Sequence, residues 1–246
     1  MKIVVTKDYT EMCKLASRIF AAQITLKPDS VLGLATGSTP VGMYKELIQM
    51  YNEGRVDFSH VKTVNLDEYA GLSGDNDQSY RYFMNHNLFD HININKENTS
   101  VPCGTAEDLQ AECERYEQLV EQTGGVDIQL LGIGNNGHIA FNEASDHLIS
   151  VAHIEKLTES TINANARFFE KKEDVPTTAI TMGMGDIMAA KCVVLIATGL
   201  AKTDAIKGLV MDNVITTQNP SSMLKMHENV VVVIDQELAD AVGYKG

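Results

Sequence analysis

The chain has 246 residues, 44% hydrophobic and 22% charged, which is enough apolar side chain to bury a sizeable α/β core. A net charge of −13 excludes a nucleic-acid face built from clustered Lys and Arg. No apolar run approaches the ~18 residues of a membrane helix.

The N-terminus turns polar by Lys7 and Asp8, too soon for a signal peptide, so a cytoplasmic location is expected. Cys13, Cys103, Cys113 and Cys192 lack C-x-x-C spacing and fit a reduced cytosol better than a disulfide framework. In chain order, β-branched runs at residues 3–5 and 31–35 predict strands. Pro40 then sits at a predicted first helical position. Met43, Tyr44, Leu47, Ile48 and Tyr51 follow at helical spacing before Gly54. A strand at 61–66 precedes a helix at 106–123, whose stripe of Leu109, Cys113, Tyr116 and Val120 ends at Gly124 and Gly125. Further strands are predicted at 128–133, 193–197 and 230–234.

These runs do not alternate strictly, which implies burial on both faces and parallel pairing. Strands alternating with helices predict a doubly wound, mostly parallel sheet flanked by helices, a Rossmann-like three-layer α/β fold. No linker divides residues 1–246, so a single domain is expected. The polar, weakly periodic segment 144–174 is expected to form a lid.

Ligands of such sheets bind at the carboxyl ends of the strands, where three loops stand out. Thr36, Gly37, Ser38 and Thr39 offer a glycine turn, hydroxyls and helix-terminal N–H groups, the parts of a phosphate cradle. A plain Ser/Thr-capped turn has the same composition. At Asp67 and Glu68 an apolar strand runs into two acids. One of them, shielded from water, has the makings of a general base, whereas a solvated helix cap would need neither buried. The third loop, residues 131–143, reads LGIGNNGHIAFNE. Its G-x-G-x-x-G spacing resembles a dinucleotide fingerprint but lacks the helix and following acidic strand end. Its glycines bring backbone close to a ligand and present His138 with two carboxamides and the carboxylate of Glu143 within a few residues, a grouping suited to proton transfer. The remaining histidines show no metal spacing, and no metal is assigned.

Together, GLATGSTP at 33–40, NLDEYAGL at 65–72, QSY at 78–80, the 131–143 loop and NARFF at 165–169 closely resemble the glucosamine/galactosamine-6-phosphate isomerase family, in particular its glucosamine-6-phosphate deaminases. The resemblance covers nearly the whole chain. It implies conversion of glucosamine 6-phosphate and water to fructose 6-phosphate and ammonia, with a small amino-sugar phosphate as partner and no cofactor. By resemblance, Asp67 shuttles the proton between carbon 2 and carbon 1. His138 serves ring opening with Asn136 and Glu143 beside it. Thr36, Gly37, Ser38, Thr39, Gly137, Arg167 and Lys202 hold the substrate and its phosphate.

Ala144 and Ser145 replace the Pro-Gly that most members carry after Glu143, which puts the turn aiming that carboxylate in question. Asp146, His153 and Glu155 align with the Ser, Arg and Lys that bind an effector phosphate in allosteric members. Acids there repel a phosphate, so no activation by N-acetylglucosamine 6-phosphate is expected. The short sequence after the last strand implies a monomer or small homo-oligomer. The rival readings are a galactosamine-6-phosphate deaminase, a 6-phosphogluconolactonase and, from another class, a non-catalytic sugar-phosphate sensor.

Overall fold

The computed structural model describes residues 1–245. Seven strands form one parallel sheet: β1 (Lys2–Thr6), β2 (Val31–Leu34), β3 (Lys62–Asn65), β5 (Thr99–Ser100), β6 (Ile128–Leu131), β9 (Val193–Ala197) and β10 (Val230–Asp235). Their order is β1-β10-β9-β6-β2-β3-β5. After β2 the chain builds outward through β3 and β5, then returns to the other side of β2 with β6, β9 and β10. The direction of winding therefore reverses between β2 and β6. Loops leaving neighbouring strands diverge at such a reversal and open a crevice at the carboxyl edge.

All six predicted strands match within two residues, and 31–35, 61–66 and 128–133 each stop a residue or two early. Those last residues have already turned toward the crevice. Helix α2 (Val41–Asn52) begins one residue later than predicted, with Pro40 as its cap. Helix α4 (Leu109–Gln122) starts where Asp108 accepts N–H bonds from Gln110 and Ala111 at 3.0 Å each. Helix α1 (Tyr9–Leu26) was not predicted, although Asp8 caps it and Met12, Cys13, Ala16, Phe20 and Ile24 are buried at helical spacing. It packs on α2 and on β1, β9 and β10.

A second, antiparallel sheet of three strands was also missed: β4 (Asp67–Tyr69), β7 (His153–Lys156) and β8 (Thr178–Thr181), in the order β4-β8-β7. Segment 144–174 therefore holds a strand and helix α5 (Glu159–Asn165). Its weak periodicity arises because β7 is largely exposed on one side and α5 buries only one residue.

Two buried tyrosines brace the strand ends. The Tyr44 hydroxyl donates to the Ala35 carbonyl at 2.5 Å, just before the first loop. The Tyr116 hydroxyl donates to the Asn65 carbonyl at 2.7 Å, just before Asp67. Each phenol satisfies a carbonyl at or just past the end of a strand inside an apolar core. At the opposite edge, buried Asp127 accepts from Lys27 at 2.6 Å, Lys191 at 2.7 Å and the Val31 N–H at 2.8 Å, tying three elements together.

Candidate active site

The crevice holds about 970 Å³ of space, part of it open to solvent. Thr36, Gly37, Ser38, Thr39, Asp67, Asn136, His138, Arg167 and Lys202 line it. The cradle runs from β2 to α2 through Gly37, whose φ of 90° suits glycine. No side chain caps α2, so its first-turn N–H groups are left for a ligand, apart from Gly42 N–H, which donates to the Tyr9 hydroxyl at 2.9 Å. Arg167 reaches over from beyond α5, its Nη2 3.4 Å from Ser38 Oγ and its guanidinium stacked 4.7 Å from the Phe168 ring centre. Lys202 follows β9. Burial, reinforced by the neighbouring Arg167 charge, pushes its ammonium down to about 8. Among the described residues neither cation has a carboxylate within 4.0 Å. Two unpaired cations, one desolvated, lack only an anion.

The His138 loop closes on itself, with Gly134 N–H donating to the His138 carbonyl at 2.8 Å. The imidazole lies flat against Gly134, where any methyl group would overlap the ring. Gly137 has a φ of 86° and leaves no room for a side chain beside Asn219. It shapes the loop rather than lining the crevice. His138 Nδ1 sits 3.3 Å from Glu143 Oε2, within ion-pair distance but off the line of a straight hydrogen bond. Asn136 Nδ2 donates to that same oxygen at 2.7 Å, and Asn136 Oδ1 accepts the His138 N–H at 3.2 Å. Glu143 is 4% exposed. Burial alone would raise its pKa, but His138, Thr161 and Asn136 hold the carboxyl down at about 2, firmly ionised.

Ala144 and Ser145 do not disturb this placement. The Ser145 carbonyl accepts from Thr217 Oγ1 at 2.5 Å and from Gln218 Nε2 at 2.8 Å, so a neighbouring loop fastens the turn.

Asp67 opens β4 opposite Thr181, and its side chain faces the crevice while 7% exposed. Burial, then the charge of Glu68, pushes its carboxyl up to about 8. Glu68 points the other way, as alternation along a strand requires. It accepts the N–H groups of Tyr69, Tyr80 and Arg81, each at 2.9 Å, and so anchors the start of helix α3 (Tyr80–Asn87). Of the two acids, only Asp67 lines the crevice.

The sequence reading missed the apolar wall made by Tyr80, Phe141 and Phe168, and Thr161 behind Glu143. Tyr80 stacks on Phe141 at 6.0 Å and 13°. The signal for Tyr80 was its motif with Gln78 and Ser79. Thr161 gave none beyond its place one turn past a capping threonine. Among the described residues, no group of three or more His, Cys, Asp or Glu side chains is arranged to hold a metal ion. No described helix is long and apolar enough to cross a membrane.

Residues 8–233 match the family of glucosamine-6-phosphate isomerases and 6-phosphogluconolactonases. The chain belongs to this family. A glucosamine-6-phosphate deaminase of Clostridium beijerinckii is 56% identical over 242 residues, covering 98% of this chain and 100% of that one. Its counterpart from Thermoanaerobacter sp. is 54% identical, covering 98% and 95%. The solved structure of a monomeric glucosamine-6-phosphate deaminase superposes with a TM-score of 0.96 at 46% identity, covering 98% of this chain and 100% of that one. A 6-phosphogluconolactonase from Trypanosoma cruzi reaches a TM-score of 0.75 at 18% identity, covering 97% and 96%, and so shares the fold alone. Membership of the family accounts for the mostly parallel seven-stranded sheet and for the loops gathered at its carboxyl edge.

Proposed function

We propose that this protein is a deaminating aldose–ketose isomerase that converts glucosamine 6-phosphate and water to fructose 6-phosphate and ammonia. One observation carries the proposal. Two independent acid–base centres, Asp67 and the His138–Glu143 pair, face a single crevice that also holds the unpaired cations Arg167 and Lys202. Lactone hydrolysis has no carbon-bound proton to move and gives a buried Asp67 nothing to do. Isomerisation of an amino sugar needs both centres.

The phosphate dianion binds the cradle of Thr36, Gly37, Ser38 and Thr39, with Arg167 and Lys202 supplying the charge. Gly137 shapes the His138 loop against the sugar. His138, oriented by Glu143 at Nδ1, keeps Nε2 for the substrate. It takes the proton of the anomeric hydroxyl and returns one to the ring oxygen, which opens the ring. The aldehyde then acidifies the hydrogen on carbon 2. Asp67 removes that proton to give an enolamine and delivers it to carbon 1. Water adds to the resulting imine at carbon 2, and ammonia leaves. Asp67 must be ionised for its step, although burial keeps it protonated near neutrality in the free protein. The substrate's ammonium group, arriving beside it, favours the carboxylate. Each acid–base group contributes on the order of 10²–10⁴-fold.

Segment 144–174, which carries Arg167, acts as the lid over this site. The protein works in the cytoplasm as a monomer or small homo-oligomer. The test is ammonia release from glucosamine 6-phosphate and galactosamine 6-phosphate, with wild type and His138→Gln. The expected result is preference for the first substrate and at least a ~100-fold loss in the variant. Preference for the second overturns the epimer assignment, and 6-phosphogluconolactone hydrolysis without ammonia release overturns the reaction.

A further inference from the structure

The chemistry above leaves two hydroxyls behind Glu143 unused. Thr158 Oγ1 accepts the Thr161 N–H at 3.2 Å as the cap of α5, and lies 3.1 Å from Thr161 Oγ1 and 3.2 Å from Glu143 Oε1. Thr161 is buried, and its own hydroxyl donates to that same Glu143 Oε1. A hydroxyl has one proton to give. The ionised Glu143 carboxylate can only accept and is a stronger acceptor than a neutral hydroxyl, so the Thr161 proton goes to it. Glu143 is thus divided: Oε2 faces Asn136 and His138, while Oε1 faces α5.

Six residues past Thr161, on the same segment, Arg167 meets Ser38 in the phosphate cradle. At ~1.5 Å per residue, that stretch spans about 9 Å, roughly the length of a hexose phosphate. One short helical unit therefore touches the cradle at one end and the carboxylate behind His138 at the other.

We propose that Thr161, supported by Thr158, is a positioning residue for ring opening. Its hydroxyl ties the segment that grips the phosphate to the carboxylate that orients His138. The proposal rests on the deaminase reading of the site. Phosphate binding at Arg167 holds α5 down, and α5 keeps Glu143 from turning away from the imidazole. Interaction with the non-reacting end of the substrate thereby sets the geometry of the reacting end. A hydroxyl that only capped a helix would alter stability and leave the catalytic step alone.

The test uses the full chain with Thr161→Val, Thr161→Ser, Arg167→Ala and the Val/Ala double variant, assayed on glucosamine 6-phosphate. Thr161→Val is expected to lower kcat by about 10- to 100-fold, the worth of a hydrogen bond to a charged group, while KM changes by less than about threefold. Thr161→Ser restores kcat to within about threefold of wild type. The double variant loses less kcat than the product of the two single losses, because both changes cut one linkage. A wild-type kcat in Thr161→Val, a loss that serine does not restore, or losses that multiply would each overturn the proposal. A second measurement needs no substrate: the nitrogen NMR signals of the His138 ring should move in Thr161→Val and hold in Thr161→Ser. No movement overturns the tie. A wild type that releases no ammonia instead refutes the deaminase reading, and the NMR comparison still decides the tie.

Discussion

Replacing Glu143 by Gln keeps the shape of the side chain and removes its charge. In the native protein that carboxylate is held at about 2, against an ordinary ~4.3, and each unit is worth ~1.36 kcal/mol, so the ionised form gains about 3 kcal/mol from its surroundings. A depressed acid contributes stability that is present above the ordinary carboxylate range and lost as pH falls toward the native value. The contribution is therefore full at pH 7, about 2 kcal/mol near pH 3.5, and gone below pH ~2. At ~2–4 °C per kcal/mol for a chain of this size, Glu143→Gln should lower Tm by up to about 10 °C at pH 7. The gap to wild type should narrow as the pH is lowered toward 3.5. His138 loses the carboxylate that orients its ring from the Nδ1 side, so kcat should fall by about 10²-fold or more. Thermal unfolding across the pH range and steady-state kinetics at pH 7 read both effects. A Tm gap that does not vary with pH, or a kcat within a few-fold of wild type, would refute the reasoning.

Other consequences follow from the same geometry. Asp67 has a raised carboxyl, so its native state favours the proton, and stability declines as pH rises from the ordinary carboxylate range to about 8. Asp67→Asn should therefore unfold later than wild type above pH 8, with ammonia release down about 10³-fold; a variant less stable than wild type at pH 9 contradicts the burial argument. Arg167→Ala should raise KM about 10- to 100-fold by removing a charge-assisted phosphate contact, and an unchanged KM takes Arg167 out of the site. Gly134→Ala should cut kcat by about 10²-fold, because the methyl overlaps the His138 ring; near-normal turnover would mean that the ring is free to shift. Saturation with glucosamine 6-phosphate should be hyperbolic and indifferent to N-acetylglucosamine 6-phosphate. At the effector positions Glu155 instead pairs with His153 at 3.2 Å, and a sigmoidal curve relieved by that ligand would contradict the expectation.

The main sheet was legible because its strands are short β-branched runs buried on both faces, a pattern that survives without alternation. Strand β4 was not, since Asp67, Glu68 and Tyr69 are buried for chemical and packing reasons that hydrophobicity does not register. β7 was hidden by its exposed charges. At the site, His138, the Asp67–Glu68 pair and the 36–39 turn drew attention by residue type at strand ends. Sequence could not separate Asp67 from Glu68: only strand alternation in the folded sheet sends one to the crevice and the other to the start of α3. Nor could it show that Thr217 and Gln218 fasten the turn after Glu143 through the Ser145 carbonyl, because that fastening spans more than seventy residues.

The central claim is a division of labour, with His138 opening the ring and Asp67 moving the carbon-bound proton. Exchange NMR of glucosamine 6-phosphate with Asp67→Asn tests it directly. The account predicts that this variant still speeds interconversion of the two anomers while releasing almost no ammonia. An Asp67→Asn protein that fails to catalyse anomer exchange, or that releases ammonia at the wild-type rate, would contradict it.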